Sequence, residues 1–155
     1  MKILLRLCLL CALLGAGWAS AQTLSIKAVS VHLFLTPSGT FSEDITALPD
    51  FAAWNFRAAV PLKPIDEEFY SFLVKVRITA TGPGGFKEGR AGTVSLRSIK
   101  RNKVVYSSPI ADIALPEGGI VVAKFVEDQV CDPVELVVEV GRSKVTRRLN
   151  LRCGE

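Results

Sequence analysis

The sequence has few of the side chains that catalytic sites need. Its 155 residues include one histidine, His32, so a histidine pair or an imidazole-based metal centre is excluded and acid–base work by imidazole would rest on a single ring. No His-Glu-x-x-His zinc helix and no Gly-x-Ser-x-Gly nucleophile elbow occurs. The run "GPGGF" shares only its glycines with a phosphate loop, lacks the following Lys-Ser/Thr, and reads as a hairpin connection. Helical periodicity is nearly absent, which excludes a bundle and the βαβ alternation of a parallel sheet. The carboxylates available to pair as in a glycosidase, Glu43, Asp44, Asp50, Asp66, Glu67 and Glu68, have nothing in the sequence to fix their separation. We therefore expect no enzyme and no cofactor.

Long apolar runs are confined to the N-terminus. Lys2 and Arg6 flank the start of "ILLRLCLLCALLGAG", and the small residues Ala19 and Ala21 follow at signal-peptidase spacing. This pattern predicts a secretory signal peptide over residues 1–21, cleaved after Ala21. Its uninterrupted apolar part falls short of the roughly 20 residues that span a bilayer, and Leu10 before Cys11 disfavours a lipoprotein. No later run is long enough to cross a membrane. Residues 22–155 have the length of one domain, expected in a bacterial periplasm or outside the cell.

Cysteine is scarce after that leader: only Cys131 and Cys153 remain, without Cys-x-x-Cys spacing. In an oxidising compartment they are expected to form a disulfide. "VELVVEVG" and "KVTRRLNLR" between them read as a hairpin turning around Gly141-Arg142-Ser143. With Leu136 facing Leu149 and Val134 facing Leu151, the cysteines would lie near its open end, clamping the hairpin.

What is abundant is two-residue alternation. "LSIKAVSVHLFL" puts Val29, Val31, Leu33 and Leu35 on one face and Ser30, His32 and Phe34 on the other. "FYSFLVKVRITA" alternates likewise, with Tyr70, Phe72, Val74, Val76, Ile78 and Ala80 inward. "GTVSLRSI" and "VVYSS" form a pair across "KRNK", where Asn102 suits a positive φ; "IVVAKFVE" follows the turn at "PEGG". About seven strands at this spacing predict an all-β, two-layer antiparallel sandwich, immunoglobulin-like or a related Greek key.

One segment breaks the alternation. Thr40–Phe56, "TFSEDITALPDFAAWNF", offers helix starts at Ser42 and Asp50 and reads as a crossover whose aromatics plug one end of the sandwich. Exposure of Phe51 or Trp54 would instead make it an anchor for a partner or a sugar-stacking platform. Glu43, Asp44 and Asp50 are weak calcium candidates, as no run has the pattern of a calcium loop.

Charge divides the chain. Residues 22–70 hold six acids against Lys27, Arg57 and Lys63, whereas residues 71–155 hold fourteen basic residues against nine acids. Arg97, Lys100, Arg101 and Lys103 gather at one hairpin tip. Arg148 and Arg152, on the outward face of the last strand, form a basic stripe suited to anionic lipid or glycan, or to an edge that resists aggregation. Nucleic acid is a poor fit, because the chain is only mildly basic and has no reading motif. The expected function is an exported, non-enzymatic module that presents loops or an edge strand to another envelope or extracellular protein, with Phe51 and Trp54 as candidate anchors. The alternative is a ligand-binding domain for anionic lipid head groups, glycan or calcium, with Arg148 and Arg152 as candidate contacts to lipid or glycan. The disulfide expectation has a direct check: neither Cys131 nor Cys153 of the exported protein should react with a thiol reagent until it is reduced, and labelling without reductant would contradict it.

Overall fold

The computed structural model describes residues 23–48, 51–54, 57–59, 65–82, 84–127 and 132–152. The described residues form the strands β1 (Leu24–Leu35), β2 (Thr40–Phe41), β3 (Ala52–Trp54), β4 (Arg57–Ala59), β5 (Ile65–Ala80), β6 (Gly85–Ser98), β7 (Lys103–Leu115), β8 (Ile120–Val126), β9 (Val134–Val140), β10 (Ser143–Leu149) and β11 (Leu151–Arg152). A single 3-10 turn, Ile45–Ala47, interrupts them. Seven of these strands have seven or more residues, which matches the number expected from alternation.

Those long strands divide into two layers. In the first sheet β5 lies between β1 and β8, with β2 continuing beyond β1 and β4, β3 and β11 continuing from the early part of β5. The second sheet runs β10-β9-β6-β7. All pairings are antiparallel except the short one between β3 and β11. Counting only long strands, first, second and fifth face seventh, sixth, third and fourth. This strand order fits the expected immunoglobulin-like or related Greek key, with the fourth long strand on the second sheet.

Alternation explains the layers. Val29, Val31, Leu33 and Leu35 of β1 and Phe72, Val74, Val76 and Ile78 of β5 are buried against Val94 and Leu96 of β6 and Leu136, Val138 and Val140 of β9. Each such side chain contributes about 1.5–3 kcal/mol on leaving water. The alternation of β5 is interrupted at one point: Phe69, of the parity expected to face outward, enters the core at 1% exposure, while the side chain of Tyr70 lies outside what is described. The cause is an irregularity between the Phe34 and Leu35 pairings, where Leu35 pairs Phe69 after Phe34 has paired Ser71, and a bulge shifts the inward face by one residue.

The turns use the residues expected of them. Asn102 has φ 50 and Gly118 and Gly119 have φ 89 and 92. The last hairpin differs from expectation in register. Val140 pairs Ser143 and Val134 pairs Leu149, because the loop is two residues long, with Gly141 at φ 57 in the first central position of a II′-type turn. Leu136 thus faces Arg147, and Leu151 leaves β9 to pair Ala53 on β3. Cys131 and Cys153 lie outside the described residues.

The two glycines of the β7–β8 turn separate conformational strain from steric contact. A Cβ on Gly118 meets nothing within 4 Å, whereas one on Gly119 would run into the Ile78 carbonyl of β5. Gly118→Ala should cost about 1–2 kcal/mol of unfolding free energy through its positive φ alone. Gly119→Ala should cost clearly more, because backbone must move; urea unfolding of both variants gives the comparison, and equal losses would contradict it.

Candidate functional site

The segment that broke the alternation is fixed to β1 by side chains. Val31 and Leu33 are buried, yet their N–H groups point off the sheet edge and need acceptors. Asp44 Oδ1 accepts from the Val31 N–H at 2.9 Å, and Ser42 Oγ accepts from the Leu33 N–H at 2.9 Å. The Ser42 N–H in turn donates to the Leu33 carbonyl at 2.9 Å. Residues 42–44 therefore complete the ladder without forming a strand and close this edge to further pairing.

The same Asp44 oxygen accepts from the Thr46 N–H at 3.0 Å and the Thr46 hydroxyl at 2.8 Å, so Asp44, not Ser42, caps the short turn over Ile45–Ala47. His32 joins this clip. Its Nδ1 lies 2.9 Å from the Ser42 carbonyl, which can only accept, and its Nε2 lies 3.0 Å from Ser30 Oγ. The ring therefore carries a proton on Nδ1 and holds the crossover through that bond, while the Ser30 contact, within β1, fixes the ring's orientation.

Past the turn, the crossover makes one wall of a groove of about 280 Å³. Ile45, Thr46, Leu48 and Phe51 line this side, and Arg147, Arg148, Leu149 and Asn150 of β10 and its continuation line the other. The floor is apolar: Ile45 and Leu149 are buried, and Leu48 and Phe51 pack partly buried against the core. Arg147 and Arg148 are exposed beside it. Two segments about a hundred residues apart in sequence meet because β10 runs on into β11, which pairs with β3 beside Phe51.

The four expected binding residues fall on this one corner. Phe51 and Arg148 line the groove, and Trp54 and Arg152 are direct partners in the β3–β11 pairing. For Trp54 and Arg152 the backbone alone is described. Asp50 lies outside the described residues. Arg147, which sequence reasoning did not single out, is exposed although it shares its strand parity with the inward Val145 and Leu149; its Nη1 donates to the Thr146 carbonyl at 3.1 Å. Nothing in the alternation of β10 marks it.

The backbone of β10 adds a second element. Its two-residue turn makes Ser143, Val145, Arg147 and Leu149 the residues bonded to β9, so Lys144, Thr146 and Arg148 present their N–H groups away from that partner. All three residues are exposed, and among the described residues nothing bonds these N–H groups. The β7 edge is blunted: Pro109 removes a donor, and Asp112 (φ 51) bulges the strand while accepting from the Gly89 N–H at 2.8 Å. On β8, one outward carbonyl, that of Phe125, accepts from the Tyr106 hydroxyl at 3.3 Å.

Among the described residues, three basic side chains away from the groove, Lys100, Arg101 and Lys144, have a carboxylate within ion-pairing distance. Asp132 holds Arg101 at 2.9 Å and Lys100 at 3.9 Å and accepts from the buried Ser98 hydroxyl, so the hairpin-tip cluster is a structural clamp in part. Lys144 pairs with Glu139 at 3.0 Å, and Glu135 stands opposite Arg148 without forming an ion pair with it. The expected stripe therefore runs beside an acidic row on β9. With Asp44 Oδ1 occupied by three donors, Glu43 and the second Asp44 oxygen remain for a cation, and no three metal-binding side chains gather among the described residues.

No protein-family model, curated protein or solved structure matches the chain. No helix among the described residues is long and apolar enough to cross a membrane.

If Asp44 closes the β1 edge, Asp44→Ala leaves the buried Val31 amide without a partner and should cost about 2–3 kcal/mol in chemical unfolding. Asp44→Asn, whose amide oxygen still accepts, should recover most of that loss. Equal destabilisation by both variants would contradict the assignment.

Proposed function

We propose that this protein is an exported, non-enzymatic interaction module of a bacterial envelope, and that its partner, another envelope or extracellular protein, lays an extended segment along β10 with a side chain in the adjoining groove. The observation that carries this reading is the coincidence of an unpaired strand edge, at Lys144, Thr146 and Arg148, with a groove of apolar floor and polar rim at the end of the same strand. Strand addition takes affinity from main-chain hydrogen bonds and specificity from side-chain pockets. The leader-like sequence over residues 1–21 supports export, and the structural use of both His32 nitrogens supports a role without acid–base chemistry.

A second reading has its own support. Arg147 and Arg148 have no carboxylate within ion-pairing distance among the described residues and flank the groove, as binding of an anionic lipid head group or an acidic glycan would require. Calcium has less support, since Asp44 is already engaged.

Two substitutions separate the readings. Thr146→Pro removes one outward N–H without touching the pairing to β9, and Arg148→Glu reverses charge at the groove. Native envelope extract passed over immobilised protein should leave a stoichiometric protein partner that survives high salt and is lost with Thr146→Pro. A ligand insensitive to Thr146→Pro, but lost with Arg148→Glu or with salt, would overturn the strand-addition reading in favour of the anionic ligand.

A further inference from the structure

The two outer faces of the sandwich differ in kind. On the second sheet, the outward rows mix signs: Lys144 beside Glu139 and Thr93, and Arg148 beside Glu135 and Arg97. The outward face of the first sheet, over β1, β5 and β8, has no carboxylate between the Phe34 row and the Arg77 row. Phe34 pairs Phe41 on one side and Ser71 on the other, His32 pairs Leu73 and Leu73 pairs Phe125, Ser30 pairs Lys75 and Lys75 pairs Ala123, and Ala28 pairs Arg77 and Arg77 pairs Val121. Phe41, Phe125 and Val121 are 46%, 41% and 47% exposed.

Aromatic and cationic groups occupy opposite ends of this face. The Phe34 ring lies 5.4 Å from Phe41 and 6.1 Å from Phe125, tilted and edge-on respectively, so the three make one continuous aromatic end. Lys75 and Arg77 stand toward the other end, and no carboxylate among the described residues pairs with either. Monomeric proteins seldom leave such a patch uncovered.

We propose that this face is a homodimer interface, covered by the same face of a second copy. A two-fold axis lying in the contact plane, perpendicular to the strands and crossing β5 between Leu73 and Lys75, reverses the order of rows. It sets the Lys75 row of one copy over the Leu73 row of the other and the Arg77 row over the Phe34 row. Every cation then meets an aromatic or apolar row and not its own kind, which is the self-complementarity an isologous contact needs. The face is also flat: outward side chains of a sheet end at one level, which fits sheet-on-sheet packing and provides no protruding ring to enter a lipid surface. Four rows across three strands span about 25 Å by about 15 Å, so two copies bury on the order of 1,000 Å², at the lower limit for a specific interface. The contact is accordingly reversible, and it leaves the β10 edge and its groove free.

Sedimentation velocity of the purified protein from about 1 to about 500 μM tests this. The expected result is a concentration-dependent monomer–dimer shift, with Phe125→Glu and Arg77→Glu each weakening the dimer at least about tenfold while circular dichroism and melting temperature stay at wild-type values. Arg77→Lys, which keeps the cation, should dimerise nearly as the parent does. A protein that stays monomeric at the highest concentration, a dimer indifferent to both charge-introducing variants, or a monomer that co-sediments with anionic phospholipid vesicles through Phe125 and Arg77 would each overturn the proposal.

Discussion

Two buried amides set the layout of the candidate site. Val31 and Leu33 lie at 0% exposure on the outermost long strand of their sheet, where their N–H groups have neither water nor a full neighbouring strand. An unpaired buried donor costs about 1–3 kcal/mol, a large share of the few kcal/mol by which a domain is stable. Asp44 and Ser42 satisfy them, and in doing so they fix the path of the crossover. Because the chain must leave Asp44 in a tight turn, Ile45 is driven into the core and Leu48 and Phe51 come to stand over the end of β10. The groove is thus a consequence of edge closure: the bonds that stop β1 from pairing also build the wall beside a strand, β10, whose outer edge is open.

Closure and opening are divided between the layers in a consistent way. The first sheet has a closed edge at β1 and an aromatic, cationic outer face; the second has a blunted edge at β7, an open one at β10, and an outer face of mixed charge. The two proposed contacts differ in chemistry: strand addition on β10 would use main-chain hydrogen bonds with a side-chain pocket, and the homodimer would use apolar and cation–ring contact. The surfaces do not overlap, so the two proposals are compatible.

Much of the fold was legible in the sequence, because alternation is a local signal: the inward faces of β1 and most of β5 follow from residues two apart, and Asn102, Gly118 and Gly119 announce their turns. Register was less legible. Whether Gly141 begins a two-residue loop or a longer one moves every partner on β10, and sequence alone placed Leu136 opposite Leu149 where Arg147 stands. The inward turn of Phe69 depends on a bulge that no residue type marks. For the site, Phe51, Trp54, Arg148 and Arg152 were legible as unusual residues but not as neighbours. Their meeting depends on the parallel pairing of β3 with β11, a contact between distant segments. The roles of Asp44 and His32 in fixing the crossover were hidden for the same reason, since the partners that matter there, Val31 and Ser42, lie ten or more residues away. Phe34 was correctly placed outward, yet its contact with Phe125 required knowing that β8 lies across β5.

The most direct measurement is amide hydrogen exchange of the free protein, resolved by residue along β1 and β10. The account predicts strong protection at Val31 and Leu33, whose edge is closed by side chains, and fast exchange at Lys144, Thr146 and Arg148, whose N–H groups face away from β9. Protection at Thr146 comparable to that of its neighbours Val145 and Arg147 would mean that β10 is already paired. Fast exchange at Val31 would mean that Asp44 does not close the edge. Either result would contradict the account.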